Sequence, residues 1–173
     1  MNKKIALITG SGAGLLYAIA LFIFWKLGMG ALAGFMTWYT YLPLIFLIIA
    51  GGAVWLRYNS ITFDFKTALQ YAVLAYFIFE LLYAVANYSL FALVDREANS
   101  LVIQQLLDES VKKMKSAGAN EDKINAAKAQ AESMKGPLTF SQVLLGFGQN
   151  MILNFIKSIF IATITKQTKS TKA

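Results

Sequence analysis

Apolar and polar positions in this chain fall into long blocks rather than alternating residue by residue. Four stretches, about 5–25, 35–56, 67–93 and 138–165, are apolar on nearly every side, and one long hydrophilic segment, about 95–135, separates the third from the fourth. Crossing the hydrocarbon core of a bilayer takes about 20 helical residues. The pattern therefore predicts an all-α integral membrane protein with four transmembrane helices and a hydrophilic helical hairpin between helices 3 and 4, forming a single membrane domain over 1–173.

The first apolar block follows a short basic start at Lys3 and Lys4 and is closed by Trp25-Lys26. Ala18-Ile19-Ala20 has the small-x-small form of a signal-peptide cleavage site, but the apolar run continues through Leu21 to Trp25, which favours a retained anchor. Ala6, Gly10, Gly14 and Ala18 recur every four residues and make one ridge of small side chains. Such a ridge admits a second helix at close range, either from this chain or from another copy, and internal packing is the preferred reading. Gly10 to Gly14 is not a phosphate loop, because no strand precedes it and no Lys-Ser/Thr pair follows. Gly28, Gly30 and Gly34 predict a flexible turn. Pro43 then falls in the first turns of the second block, where a mild kink is expected. Trp25, Trp38, Tyr39 and Tyr41 at one level, and Trp55 and Tyr58 at the other, fit two interfacial aromatic belts. The connector 57–66 alternates Ile61, Phe63 and Phe65 with polar residues, which predicts a segment lying along the interface, apolar side down.

Within the hydrophilic segment, Ile103, Leu106, Leu107, Val111 and Met114 have helical spacing, as do Ile124, Ala127, Ala131 and Met134. Gly118 is placed to end the first helix and Asn120 to cap the second. The hairpin either packs on itself or offers its first helix to a partner. Gly136-Pro137 then breaks the chain before the fourth block, and the lysine-bearing end after Lys166 reads as a disordered tail.

Composition agrees with the blocks. The 173 residues are 57% hydrophobic and 14% charged, with a mean hydropathy of +0.55. A soluble domain carries about 25% charge. There is no cysteine and no histidine, so disulfides, thiolate metal sites and Ser-His or Cys-His catalysis are excluded. The sequence predicts no catalytic residue, no metal site, no cofactor and no enzyme activity. The net charge of +7 does not point to nucleic acid, because the hydrophilic segment balances seven basic against seven acidic residues. The excess sits at the ends of apolar blocks. Lys3, Lys4, Arg57, Lys66, Lys166, Lys169 and Lys172 fall on one side of a four-span topology. Basic residues near span ends mark the cytoplasm. Both termini are thus expected inside and the hairpin outside, which in a bacterium means the inner membrane and the periplasm.

Two full charges lie deep in the blocks, Glu80 and Lys157. Tyr76, Glu80, Tyr83 and Asn87 share one helical face of the third block. The fourth has a broad polar face with Gln142, Gly146, Gln149, Asn150, Asn154 and Lys157. Ionisable residues inside a membrane face protein or water and mark functional sites. One reading is a Glu80–Lys157 pair, surrounded by Tyr76, Tyr83, Asn87, Gln149 and Asn150, that handles protons, ions or a small polar solute. The other lets Lys157 snorkel to the interface while a neutral Glu80 hydrogen-bonds a neighbouring helix as structural glue.

The basic start with a Gly-rich first block, the Arg57-Tyr58 connector, Ile61-Thr62-Phe63 with Lys66 and Ala68, the charged hairpin and Pro137 before the last block form a familiar order. The chain resembles, over nearly its whole length, the small bacterial membrane family known as domain of unknown function 4199, of Bacteroidetes type. The resemblance implies an inner-membrane location and four helices, and supplies no activity and no functional residue. The expected role is a non-enzymatic accessory or scaffold subunit acting through helix and hairpin contacts. Its partners are the lipid bilayer and a membrane or periplasmic protein, or a second copy of itself. The alternative is a small transporter or channel subunit using Glu80 and Lys157.

Overall fold

The structure is a computed structural model that describes residues 2–41 and 43–167, with the side chains of 2 and 38–41 also outside the description. The belt side chains of Trp38, Tyr39 and Tyr41, and the tail with Lys169 and Lys172, lie outside the described residues. Every described element is helical: α1 (Asn2–Lys26), α2 (Met29–Tyr41), α3 (Leu44–Asn59), α4 (Phe65–Tyr88), a π-helical continuation (Ser89–Val94), α5 (Arg96–Ser116), α6 (Glu121–Met134) and α7 (Phe140–Thr165). Three of them are long and apolar enough to cross a membrane: Lys3–Lys26, Phe65–Val94 and Phe140–Thr165.

The second apolar block differs from its expected form. It is two helices, α2 ending at Tyr41 and α3 starting at Leu44, rather than one helix with a kink. Pro43 has no N–H to donate and restricts the residue before it, so α3 starts afresh behind it. At 16 residues, α3 is about 24 Å long, short of the roughly 30 Å hydrocarbon core. The expected glycine turn is also shorter than its three glycines. Gly28 alone turns the chain, at φ +110°, and Gly30 and Gly34 lie inside α2.

The contacts divide the chain into two units. The first comprises Met1–Ala18, Leu42–Val85 and Leu144–Ala173. Its core is built on a small-residue face of α4, where Ala68, Ala72 and Ala75 are fully buried together with Tyr71, Tyr76 and Phe79. The glycine ridge of α1 meets this face. A Cβ on Gly10 would strike the Ala75 carbonyl, and one on Gly14 would come within 2.6 Å of Leu82. Ala6 is fully buried on the same ridge, while Ala18 is half-buried. The ridge is therefore occupied by a helix of the same chain. Gly52 of α3 likewise makes room for the Tyr71 hydroxyl, which donates to the Ile49 carbonyl at 3.1 Å. In the connector before α4, Phe63 is buried and Ile61 fully exposed, and Gln167, just beyond α7, captures the backbone here. The Phe63 N–H donates to Gln167 Oε1 at 3.1 Å, the Gln167 N–H to the Phe63 carbonyl at 2.8 Å, and Gln167 Nε2 to the Arg57 carbonyl at 2.8 Å. Asp64 then caps α4, accepting from the Thr67 N–H at 2.8 Å. The hydrogen bonds to Thr67 hold its carboxyl below the usual carboxylate range.

The second unit comprises Ile19–Tyr41 and Ala86–Val143. Here α2 packs on α5, and α5 packs on α6. Leu32 and Ala33 of α2, and Ala98 and Val102 of α5, are buried. Asp95 joins three elements: it ends the π-helical turn, caps α5 by accepting from the Ala98 N–H at 3.0 Å, and accepts from Trp25 Nε1 at 3.0 Å. Its own N–H reaches back five residues to the Leu90 carbonyl at 2.8 Å, the bond that makes this turn π-helical. At the far end Gly118 adopts φ +73°, and the Asn120 side chain accepts from the Lys123 N–H at 3.1 Å. The return is pinned as well. Asn99 Nδ2 donates to the Gly136 carbonyl at 2.7 Å, and the Gly136 N–H donates to Ser100 Oγ at 2.8 Å. Thr139 and Gln142 form a reciprocal capping box that starts α7.

Candidate functional site: a buried carboxylate held by two asparagines

The first unit contains one buried acidic side chain, Glu80 of α4, which is 4% exposed. It sits inside a helix that is apolar enough to cross a membrane, so every oxygen lone pair left without a donor is costly. Two carboxamides of α7 meet it. Asn154 Nδ2 donates to Glu80 Oε1 at 2.7 Å, and Asn150 Nδ2 donates to Oε2 at 3.1 Å. The two asparagines are one helical turn apart, so they present their amides to the same partner. Asn154 is itself buried, and its backbone carbonyl accepts from Ser158 Oγ at 2.7 Å.

Lys157 does not touch Glu80. Its Nζ donates to Asn154 Oδ1 at 3.2 Å and stands 5.9 Å from the centre of the Tyr76 ring. Asn154 thus lies between carboxylate and ammonium, with its donor end on one and its acceptor end on the other. The direct pair that the sequence raises as one reading is replaced by this relay. Tyr76 is buried, and its hydroxyl has no hydrogen-bond partner among the described residues. The Tyr83 ring packs on the Tyr17 ring of α1, with centroids 4.6 Å apart.

One of the expected members is turned away. Gln149 is exposed, although it precedes Asn150 by one residue. One residue is about 100° around a helix, enough to turn a side chain away from the face its neighbour occupies. Asn87 is buried. In the other direction, Asn154 supplies the shortest bond to Glu80 and was not among the expected members of the centre. The signal for it was the spacing of four from Asn150 and three from Lys157 along the polar face.

Chemically, this is an acidic side chain whose two oxygens each accept from a neutral amide, with the Lys157 ammonium on the far side of Asn154. A hydrogen bond contributes about 0.5–1.5 kcal/mol net, and leaving a buried acceptor unmatched costs about 1–3 kcal/mol, so the site clamps α4 to α7. Among the described residues, no group of three His, Cys, Asp or Glu side chains is placed to hold a metal ion.

A family model described as "Protein of unknown function (DUF4199)" matches residues 8–167. The chain belongs to this family. The match runs from within α1 to Gln167, so the ridge from Gly10 to Ala18, the Glu80 site, both helices 96–134 and the Gln167 clasp fall inside the DUF4199 region. No curated protein and no solved structure matches the chain.

Proposed function

We propose that this chain is a non-enzymatic accessory or scaffold subunit of a bacterial inner membrane, acting through helix and hairpin contacts. The observation that carries the reading is the incomplete cover over α5. Ile103, Leu106, Leu107, Val111 and Met114 form its apolar stripe, yet all stay half-exposed, because α6 is Ala-rich and buries only Ile124. A groove beside the stripe has Leu107 and Val111 on its floor and Gln104, Asp108, Lys112, Lys115, Lys128 and Glu132 around it. An apolar floor with a rim of both charge signs suits a partner helix that carries apolar residues flanked by polar ones.

Four spans are part of this proposal, with α3 as the short fourth. The pairing of helix ends supports it. Gln167 after α7 bonds the connector between α3 and α4, and the end of α1 meets the residue that follows the π turn through Trp25 and Asp95. These bonds suit helices that alternate in direction. Lys3, Lys4, Arg57, Lys66 and Lys166 then share the cytoplasmic side, and α5 with α6 is extracytoplasmic.

The test is crosslinking in intact cells, followed by affinity purification of the native chain and of Leu107→Glu/Val111→Glu. A stoichiometric second protein that is lost from the double variant is the expected result. Recovery of this chain with no second protein overturns the accessory role. The Glu80 site favours a second reading, a small transporter or channel subunit. In reconstituted liposomes, that reading requires proton or cation flux that Glu80→Gln abolishes.

A further inference from the structure

The small-residue ridge of α1 is the feature of this sequence that most resembles a dimerisation motif, and α4 occupies it. A different surface is left without a partner. Of the three helices apolar enough to cross a membrane, α7 is the least buried, at 17% of its most apolar window. Its outward stripe consists of Leu145, Gln149, Ile152 and Ile156, at spacings of four, three and four, with Gly148 beside the amide. These are the spacings of a helix–helix seam. Gln149 sits about 5 Å from the midpoint of the helix, at 1.5 Å per residue, and so within the hydrocarbon of any bilayer the helix crosses. None of the side-chain hydrogen bonds among the described residues involves it, whereas the Gln142 side chain, one heptad earlier, is occupied by its capping box. An unpaired carboxamide in lipid is costly, and interhelical hydrogen bonding is the usual remedy.

We infer that the Leu145–Ile156 face of α7 is a homodimer interface, with Gln149 of each copy hydrogen-bonded to Gln149 of the other. The partner is a second copy because a carboxamide is complementary to itself in partial charge. It carries one donor end and one acceptor end, so a two-fold axis beside it satisfies both. Gly148 offers no side chain at that point, and a Cβ added there would meet nothing. Two backbones can therefore approach closely. The inference rests on the membrane reading above and is independent of the hairpin's partner.

The chain contains no cysteine, so single cysteines report position directly. The full chain, in native membranes, carries one cysteine at 145, 149, 152 or 156, or at the control positions Ile8 and Phe155, and is oxidised mildly. Disulfide-linked dimers at the four stripe positions, and not at the controls, are expected. In a cysteine-free equilibrium assay in micelles, Gln149→Leu weakens dimerisation about tenfold, consistent with two interhelical hydrogen bonds of about 0.7 kcal/mol each, and Gln149→Asn keeps most of it. Absence of a dimer at 149, equal crosslinking at Ile8 and Phe155, an unchanged Gln149→Leu equilibrium, or an adduct with a different protein each overturns the inference. If the chain is not in the membrane fraction at all, the membrane reading itself fails, which a separate fractionation reports.

Discussion

The two units use polar groups in opposite ways. In the first, the polar network is buried: Glu80 is matched by Asn150 and Asn154, and Lys157 reaches the outer edge of that network. In the second, Asp95, Asn99, Ser100 and Asn120 stand at helix ends, and each takes up a backbone group that the end of a helix leaves unpaired. The only ion pair among the described residues, Lys135 with Glu132, is also in this unit. The difference follows from the surroundings. Apolar surroundings offer no substitute donor, so a buried carboxylate dictates which helices meet. An exposed side chain has water as a substitute, so exposed polar residues at helix ends fix only where helices begin and stop.

The largest test of this contrast is steric. Gly10→Val places methyl groups against the Ala75 backbone, which cannot move away without displacing α4. It should cost about 3 kcal/mol in a denaturant titration in micelles. Gly12→Val, where an added Cβ meets nothing, should cost far less. Next, Asn154→Leu leaves Glu80 Oε1 without its closest donor and should cost about 2 kcal/mol. Combined with Glu80→Leu the loss should shrink, because no carboxylate is then left unmatched. A fully additive double variant would mean the bond contributes nothing. In the second unit, Asn120→Ala should cost about 1 kcal/mol, confined to α6. Hydrogen exchange should speed up at Lys123 and its neighbours and stay unchanged at Ala75.

The smallest effect is a pH dependence. The Asp64 carboxyl is held below its ordinary value by Thr67. Its stabilisation over Asp64→Ala should be complete above the ordinary carboxylate range and vanish as pH falls through the lowered value. A melting-temperature gap that widens in acid would contradict that sign.

Most of the helical frame was readable in the order of residues. The runs 5–25, 67–93 and 138–165 lie inside or within two residues of the observed helices, because a continuous apolar run in this composition has one stable backbone state. The second run was less readable. Its apolarity concealed the break at Pro43, and three glycines near α2 suggested a longer turn than Gly28 alone makes. Glu80 stood out as a lone charge. Its partners did not, because periodicity gives a face and not its width: Gln149 and Asn154 belong to the same broad polar arc, and only packing against α4 selects one over the other.

The Glu80 clamp also imposes an order on biogenesis. Its donors, Asn150 and Asn154, lie 70 and 74 residues later in the chain. At ribosomal speeds of about 5–20 residues per second, α4 waits roughly 4–14 s for the first of them. On the membrane reading proposed above, a helix carrying an acidic side chain that costs about 3 kcal/mol at a bilayer centre has to be sheltered through that interval. On that reading, release of α4 into lipid is tied to the arrival of the last helix, and a chain truncated before Asn150 should be degraded faster than the full chain.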